Sequence, residues 1–259
     1  MRLTFLGTGT SFGVPVIGCT CATCTSDDPR DKRTRHGALV ELPECRLLID
    51  TPPELRLQLL RAEVSQVDAV FFTHLHADHI HGLDDVRIFS TKGRGAVPAY
   101  VTQEMREDLV ARFNYIFDPK AKVPMGTTKP RIDLHDYEAG VPLHLLGADL
   151  LPFRVPHGPT DAFGFRTKGL GYVTDACELP GPALEALRGV EVLVLNALWW
   201  GNPHPTHFNV EQAIAAAEQV GAARTYLTHL THRVDYESLA SRLPAGIEPA
   251  YDGLTVDVG

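Results

Sequence analysis

Four side chains that can bind divalent metals fall within six consecutive residues, at His74, His76, Asp78 and His79. They follow the apolar run Val67–Phe72, which is rich in β-branched and aromatic residues and predicts a buried strand. Side chains just after such a strand lie at the carboxyl edge of a sheet, where open sheets place their binding sites. His74 and His76 can turn toward one point, whereas Asp78 and His79 fall on the following turn. The spacing therefore predicts two metal ions side by side.

Three later predicted strands each end at a residue that can bind a metal. The strands cover Leu150–Pro156, Gly171–Thr174 and Thr225–Thr228, and the residues that follow them are His157, Asp175 and His229. A lone histidine or aspartate after a strand is usually a turn residue, but with the first cluster these three complete a pair of sites. One ion would bind His74, His76 and His157, the other would bind Asp78, His79 and His229, and Asp175 would bridge both.

The charge of such a centre favours an anionic substrate. Two divalent ions, two carboxylates and one hydroxide would leave a single net positive charge. Two adjacent ions can hold the attacking and leaving oxygens of a displacement and lower the pKa of the water between them. The residues therefore predict a hydrolase, with phosphorus as the preferred centre of attack. Asp50 ends another predicted strand, Arg46–Asp50, and we expect it either to orient a ligand imidazole or the metal-binding loop by a hydrogen bond, or to be a plain turn residue.

Three of the five cysteines, Cys19, Cys21 and Cys24, lie within six residues. An odd number of cysteines, with no export signal predicted, does not form a disulfide framework. Three thiolates and one imidazole would form a closed tetrahedral zinc site, which supports structure and leaves no open position for catalysis. The alternative for this cluster is a set of buried, reduced thiols.

The length of 259 residues allows one large α/β domain or two small ones, and since no Gly/Ser/Pro-rich linker divides the chain, we expect a single domain over residues 1–259. Short apolar strands alternate with amphipathic helices, so we expect sheets covered by helices. A net charge of −8 makes a large nucleic acid an unlikely partner. No apolar run approaches the length that spans a membrane and no signal peptide is predicted, so we expect a cytoplasmic protein. The segment 113–130 is irregular, and a surface loop is a better prediction for it than a flap over a site.

The pattern His-x-His-x-Asp-His, followed by a distant histidine, aspartate and histidine, resembles the metallo-β-lactamase superfamily of hydrolases. That resemblance implies an α/β fold of the αββα four-layer type, with two mixed β-sheets flanked by helices and a dinuclear site at one edge. The segment Gly7–Ser11 also resembles the glycine-rich opening of the branch that cleaves phosphodiesters.

The segment Gly18–Cys24 is similar to the phosphoribosyl 1,2-cyclic phosphate phosphodiesterases of the carbon–phosphorus lyase pathway. This closer resemblance implies that His232 is the fourth ligand of a structural zinc. It also implies that His207 protonates the leaving oxygen as a general acid. A homodimer is common among these relatives.

The first functional hypothesis is a phosphodiesterase that hydrolyses a small, cyclic phosphodiester by attack of a metal-bound hydroxide, with two Zn²⁺ or Mn²⁺ ions in the active site. One alternative is a tRNA 3′-processing endonuclease, although no Gly/Lys/Arg-rich arm is visible. Another is a non-hydrolytic, metal-binding biosynthetic protein resembling the pyrroloquinoline-quinone B protein, but the complete ligand set argues against it. The sequence does not assign a role to the segment 85–130, to Trp199 or to Trp200.

Overall fold

The structure is a computed structural model that describes residues 1–91, 95–121, 123–145 and 147–259. Within these ranges, fourteen strands form two seven-stranded sheets. The strands are β1 (Arg2–Gly7), β2 (Gly37–Glu41), β3 (Arg46–Ile49), β4 (Ala69–Phe71), β5 (Val97–Val101), β6 (Ile132–Asp136), β7 (Leu143–Leu145), β8 (Ala148–His157), β9 (Thr160–Thr167), β10 (Leu170–Tyr172), β11 (Val192–Asn196), β12 (Arg224–Thr228), β13 (Ile247–Pro249) and β14 (Thr255–Asp257). The first sheet has the order β14-β1-β2-β3-β4-β5-β6 and the second β13-β12-β11-β10-β9-β8-β7.

Helices flank both sheets, and two 3₁₀ segments cover Pro29–Asp31 and Leu83–Ser90. The α-helices are α1 (Ala22–Thr25), α2 (Leu55–Arg61), α3 (Ala77–Ile80), α4 (Gln103–Arg112), α5 (Asn114–Phe117), α6 (Gly181–Leu187), α7 (Val210–Val220) and α8 (Tyr236–Arg242). Asn209 as N-cap, with Gln212 three residues on, predicts a helix over Val210–Val220, and helix α7 has these bounds because the two residues form a reciprocal capping box at its start. Across the described ranges, no helix is both long enough and apolar enough to cross a bilayer.

The main core lies between the inner faces of the two sheets. Phe71 on β4 contacts Phe165 on β9 with ring centres 5.3 Å apart, and Phe165 stacks on Tyr172 of β10 at 5.2 Å. A second apolar cluster packs α6, α7 and α8 against the outer face of the second sheet. The two mixed sheets with helices outside confirm the predicted αββα sandwich.

The predicted strands are all present with shifted ends, but several elements were missed. The edge strands β6 and β13 are short and partly exposed, so their sequences carry no buried apolar run. Asp78 and His79 were expected on a turn, but they lie within the short helix α3. Segment 113–130 begins with α5 and is otherwise without regular structure in its described part, Lys122 lying outside the described residues.

Parallel strands bring the functional residues to one edge. Strands β3, β4 and β5 run parallel in the first sheet, as β10, β11 and β12 do in the second. Carboxyl ends of parallel neighbours lie at the same edge of a sheet. The backbone N–H of Phe163 donates to the carbonyl of Thr73 at 2.9 Å, which joins the two sheets beside the end of β4.

The buried side chain of Arg33 links the N-terminal segment to the loop after β12. The Arg33 side chain is fully buried, and its Nη2 lies 3.0 Å from Oδ1 of Asp31. Its Nη1 donates to the carbonyls of Thr231 and Val234, each at 2.8 Å. The buried guanidinium of Arg33 therefore depends on these protein groups for its hydrogen bonds, and water does not take their place.

We predict that Arg33→Met lowers the free energy of unfolding by about 3–5 kcal/mol, because it leaves the Asp31 carboxylate buried without its partner. Urea denaturation at fixed zinc concentration measures this loss. Arg30→Met is the matched control, since Arg30 is only partly buried, pairs with Asp28 and Glu237, and should contribute less than about 1 kcal/mol. Equal losses for the two variants would contradict the role assigned to Arg33.

Candidate functional site

Seven side chains meet where the strand ends of the two sheets converge. The first sheet supplies His74, His76, Asp78 and His79 after β4, and the second supplies His157, Asp175 and His229 at the ends of β8, β10 and β12. Two groups have ligand atoms that all lie within 4.8 Å of one another: His74, His76 and His157 form one, and Asp78, His79 and His229 form the other. The structure therefore brings together the two triplets that the sequence predicts.

In the first triplet, three ring nitrogens face one point. Nδ1 of His76 lies 3.1 Å from Nε2 of His74 and 3.1 Å from Nε2 of His157. Nitrogens this close repel one another if they are all protonated. When these nitrogens are unprotonated, their lone pairs can bind a shared cation instead.

Asp175 stands between the two triplets. Its Oδ2 lies 3.8 Å from Nε2 of His74 and 3.4 Å from Nε2 of His229, and its Oδ1 lies 3.5 Å from Nε2 of His79. In the second triplet, Oδ2 of Asp78 lies 3.6 Å from Nε2 of His79. A single carboxylate thus reaches both triplets, which is the geometry that a bridging ligand needs.

Buried nitrogens without partners indicate that this pocket is built for cations. Nε2 of His79 and Nε2 of His229 are buried, and neither has a hydrogen-bond partner among the described residues. A buried polar atom without a partner is costly, so native proteins seldom leave one unless a ligand satisfies it. The donor set of imidazoles and carboxylates is one that Zn²⁺, Mn²⁺ and Fe²⁺ accept. The residues present therefore fit the divalent ions.

Asp50 orients His79. Its Oδ2 accepts a hydrogen bond from Nδ1 of His79 at 2.7 Å, which turns Nε2 toward the second triplet. The same carboxylate accepts from the backbone N–H and the hydroxyl of Thr73, at 2.8 and 2.7 Å. The structure places the Asp50 carboxylate where the orienting role requires it, and Asp50 also turns the chain at the end of β3. Carboxylates commonly fix metal-binding imidazoles in this way.

Two neighbours of the triplets could not be predicted from the sequence. The carbonyl of Thr206 accepts from Nδ1 of His157 at 2.9 Å and so directs Nε2 of that ring into the first triplet. His36 is buried behind the second triplet, with Nε2 2.5 Å from the Tyr172 hydroxyl and its ring centre 6.1 Å from that of His229. Both contacts join residues far apart in the chain, so no local pattern signals them.

Three residues of the site adopt the left-handed backbone conformation. Asp50, Asp175 and His229 have φ angles of 60°, 55° and 59°. Each follows the end of a strand, and each such residue other than glycine costs about 1–3 kcal/mol. This strain turns the chain sharply, so that each side chain projects from the sheet edge into the site.

Protonation equilibria in the pocket favour neutral ligands near His74 and positive charge near His79. Burial lowers the pKa of His74 well below its ordinary value. Burial also opposes protonation of His79, but Asp175, Asp78 and Asp50 together raise the pKa of His79 well above it. The carboxylates therefore create a potential that attracts a cation.

The cysteine cluster forms a separate group with His232. The Sγ atoms of Cys19, Cys21 and Cys24 lie 3.3, 3.5 and 3.6 Å from Nδ1 of His232. Hydrogen bonds, first from the backbone N–H of Cys24 and then from neighbouring side chains, lower the pKa of Cys21 to about 6. Three thiols and one imidazole at this spacing match the predicted closed zinc site.

His207 lies against Asp175. Its Nε2 is 3.0 Å from Oδ2 of Asp175, and its ring stacks on that of His229 with centres 4.8 Å apart. Since a carboxylate can only accept, Nε2 carries a proton, while Nδ1 lies 2.7 Å from the Thr206 hydroxyl, which can donate to that nitrogen or accept from it. His207 thus holds a proton at the edge of the centre.

A cavity of about 380 Å³ opens beside His207 and His229. Thr10 and Ser11, from the glycine-rich segment, form part of its wall. That segment runs so close to its neighbour that a Cβ on Gly7 would lie 2.0 Å from the carbonyl oxygen of Arg35, so glycine is required there. The opposite wall is formed by Leu198, Trp199, His204, Thr231, His232 and Arg233. Trp200 lies instead under the guanidinium of Arg242.

A second cavity, of about 220 Å³, lies on the other side of His74 and His76. Residues of α4, within the segment 85–130, form one of its walls. Arg112 of that helix donates to the carbonyl of Leu75 at 2.7 Å and so braces the metal-binding loop. Helix α4 of the segment 85–130 therefore contributes to the surroundings of the site.

Known proteins resemble this chain over its whole length. A crystal structure of a diphosphatase from the PhnP family superposes with a TM-score of 0.91 and 39% identity, covering 100% of this chain and 98% of that one. An octanoyltransferase of Porphyromonas gingivalis is 35% identical over 256 residues, or 98% of this chain, but this chain spans only 51% of its length. Ribonuclease Z of Myxococcus xanthus is 24% identical over 316 residues, covering 100% of this chain and 98% of that protein.

The family model of the β-lactamase superfamily domain matches residues 45–230. These residues include the six side chains of the two triplets and also Asp175. Together with the sandwich fold and the likeness to the PhnP-family diphosphatase, this match confirms the resemblance drawn from the His-x-His-x-Asp-His pattern. The chain belongs to the β-lactamase superfamily and is a metal-dependent hydrolase.

Proposed function

We propose that this protein is a dinuclear phosphodiesterase that hydrolyses a small, cyclic phosphodiester. The observation that carries the proposal is the position of Asp175, whose two oxygens reach both triplets at 3.4–3.8 Å. Two ions held by one carboxylate suit an in-line displacement at phosphorus. The cavity beside His207 has a volume of about 380 Å³, which fits a small substrate.

In this proposal His74, His76 and His157 would hold one ion and Asp78, His79 and His229 would hold the other, with Asp175 within reach of both. When bound, Zn²⁺ or Mn²⁺ ions supply an activated water and stabilise charge on the phosphoryl oxygens. Asp50 keeps Nε2 of His79 pointed at the centre, and the Thr206 carbonyl does the same for Nε2 of His157. These contacts fix the directions of the two ring nitrogens before any ion binds.

His207 is the proposed general acid. Its Nε2 proton points to Asp175, at the rim of the same cavity, where a departing alkoxide can take it. Burial lowers the pKa of His207, whereas Asp175 favours the cationic ring with a proton on both nitrogens, which is the form that can give a proton to the alkoxide and become a neutral imidazole. An alkoxide is a poor leaving group, and its protonation is the step at which a general acid accelerates the reaction most.

The cysteine cluster is the proposed structural zinc site. Cys19, Cys21, Cys24 and His232 offer four ligands and leave no open position. His232 also lines the 380 Å³ cavity, three residues after His229. Zinc at this point would hold the two loops that form the cavity walls.

We expect metal-replete protein to hydrolyse bis(p-nitrophenyl) phosphate and 2′,3′-cyclic AMP, and Asp175→Ala to abolish both activities. Turnover is measured on protein reconstituted separately with Mn²⁺ and with Zn²⁺. A β-lactam, a thioester and a precursor tRNA complete the panel. Turnover of a carbonyl ester alone would contradict the proposed function, and cleavage of the precursor tRNA alone would replace it with ribonuclease activity.

His207→Gln should lower kcat by about 10²- to 10⁴-fold on 2′,3′-cyclic AMP, whose leaving group is an alkoxide. On bis(p-nitrophenyl) phosphate the loss should be small, because p-nitrophenolate departs without a proton. His204→Gln is the matched control, since His204 lines the same cavity but does not contact Asp175. Equal losses on the two substrates would show that His207 positions other groups and donates no proton.

Metal analysis should find three ions per chain in wild-type protein and distinguish the two kinds of site. Cys24→Ser should remove one zinc and leave the other two ions bound. Asp175→Ala should lower the occupancy of the active-site ions and keep the zinc of the cysteine site. Inductively coupled plasma mass spectrometry on dialysed protein measures these ratios. Retention of all three ions in Cys24→Ser would exclude the cysteine site.

A further inference from the structure

The ring of His229 differs from its neighbours in how its direction is fixed. Asp50 and the Thr206 carbonyl each hold Nδ1 of another ligand ring. Nδ1 of His229, in contrast, is buried and has no hydrogen-bond partner in the described part of the chain. The ring stacks on that of His207, but stacking lacks the fixed direction of a hydrogen bond. The direction of Nε2 of His229 therefore depends on the backbone that carries the ring.

That backbone is strained and is held from one side by Thr8. His229 has a φ of 59°, and a residue other than glycine stays in this region only when its surroundings hold it there. The backbone N–H of the next residue, Leu230, donates to the carbonyl of Thr8 at 2.8 Å. Both Thr8 and Leu230 are fully buried, so water does not compete for this hydrogen bond. The position of His229 is therefore coupled to that of Thr8.

Asp252, in the turn before β14, fixes Thr8 in its place. Its side chain is 1% exposed, and its Oδ1 accepts from the backbone N–H and from the hydroxyl of Thr8, each at 2.8 Å. Its Oδ2 accepts from the backbone N–H and the hydroxyl of Thr34, at 2.9 and 2.6 Å, and from Nη2 of Arg61 at 3.1 Å. These donors satisfy both oxygens of the buried carboxylate. Because the carbonyl of Thr8 accepts from Leu230, Thr8 links this carboxylate to the loop after β12.

We propose that Asp252 is a positioning residue of the metal centre. Acting through Thr8, it keeps Nε2 of His229 directed into the second triplet. The proposal rests on the proposed function in one respect, since it takes the second triplet to bind a divalent ion. Removal of a group that orients a metal ligand typically lowers metal affinity by about 10- to 100-fold. The first triplet has its own orienting contact at Thr206 and should be unaffected.

The test is Asp252→Asn, which keeps the size of the side chain but replaces one acceptor oxygen with an amide donor. Zinc-loaded protein with ¹⁵N-labelled histidine is treated with graded nitrilotriacetate, and the nitrogen resonances of each ring report when its ion leaves. His79 and His229 should lose their ion at a free Zn²⁺ concentration about 10- to 100-fold higher than in wild-type protein. His74 and His76 should release theirs at the wild-type concentration.

Thr8→Val and Thr34→Val form a matched pair, because each removes one hydroxyl donor from Asp252 and keeps the shape of the side chain. Of the two, only Thr8 is bonded to Leu230. Thr8→Val should therefore weaken binding of the second-triplet ion by about 3- to 10-fold, the effect of one hydrogen bond, whereas Thr34→Val should leave it unchanged. This pair decides the question if Asp252→Asn does not fold.

Urea denaturation of the same variants separates positioning from stability. Loss of stability in Asp252→Asn with wild-type release of both ions would overturn the proposal, and so would equal shifts in Thr8→Val and Thr34→Val. If the rings of wild-type protein bind no ion, the proposal and the proposed function fail together. The expected pattern of ion release without turnover of any phosphodiester would overturn the proposed function alone and support the role of Asp252.

Discussion

Three carboxylates buried at one edge of the sandwich determine how the rest of the site is built. Asp50, Asp78 and Asp175 are removed from most solvent, and buried charges are tolerated only when cations or donors compensate them. Asp50 is satisfied by Thr73 and His79, whereas Asp78 and Asp175 face imidazole nitrogens. The fold meets this demand by bringing five histidines, whose nitrogens divalent ions can bind, around Asp78 and Asp175.

The strand ends are the means by which this cluster forms. Carboxyl ends of parallel strands from two sheets converge, and left-handed residues at Asp50, Asp175 and His229 turn the chain at each end. The strain is local, while the packing that offsets it is spread over the core between the sheets. The candidate ligand atoms are therefore positioned by the backbone, and the side chains need little further adjustment.

Much of this arrangement can be predicted from the sequence, because many of the residues concerned lie close together in the chain. The four ligands from His74 to His79 lie within one strand–helix connection, so their spacing alone predicts two points of binding. Helix α7 carries its own capping residues and was predicted with its observed bounds. His157, Asp175 and His229 could be assigned only because the first cluster demanded partners for them.

What the sequence hides depends on contacts between distant segments. The Thr206 carbonyl beside His157 and the hydroxyl of Tyr172 beside His36 become partners only after both sheets have formed. Strands β6 and β13 take their structure from their neighbours, since their own side chains are half exposed. Arg233 carries no signal at all, because its distinction from other arginines lies in the cavity that it faces.

The cysteine cluster also has a consequence for the unfolded chain. Cys19 and His232 are 213 residues apart in sequence, so a zinc ion held between them closes a loop of most of the chain. In the chain-entropy treatment of cross-links, a loop of this size disfavours the unfolded ensemble by about 5 kcal/mol. Zinc would in this way stabilise the protein as a disulfide does, by limiting the conformations of the denatured chain. Unlike a disulfide, this cross-link would be removed by a chelator and restored by added metal.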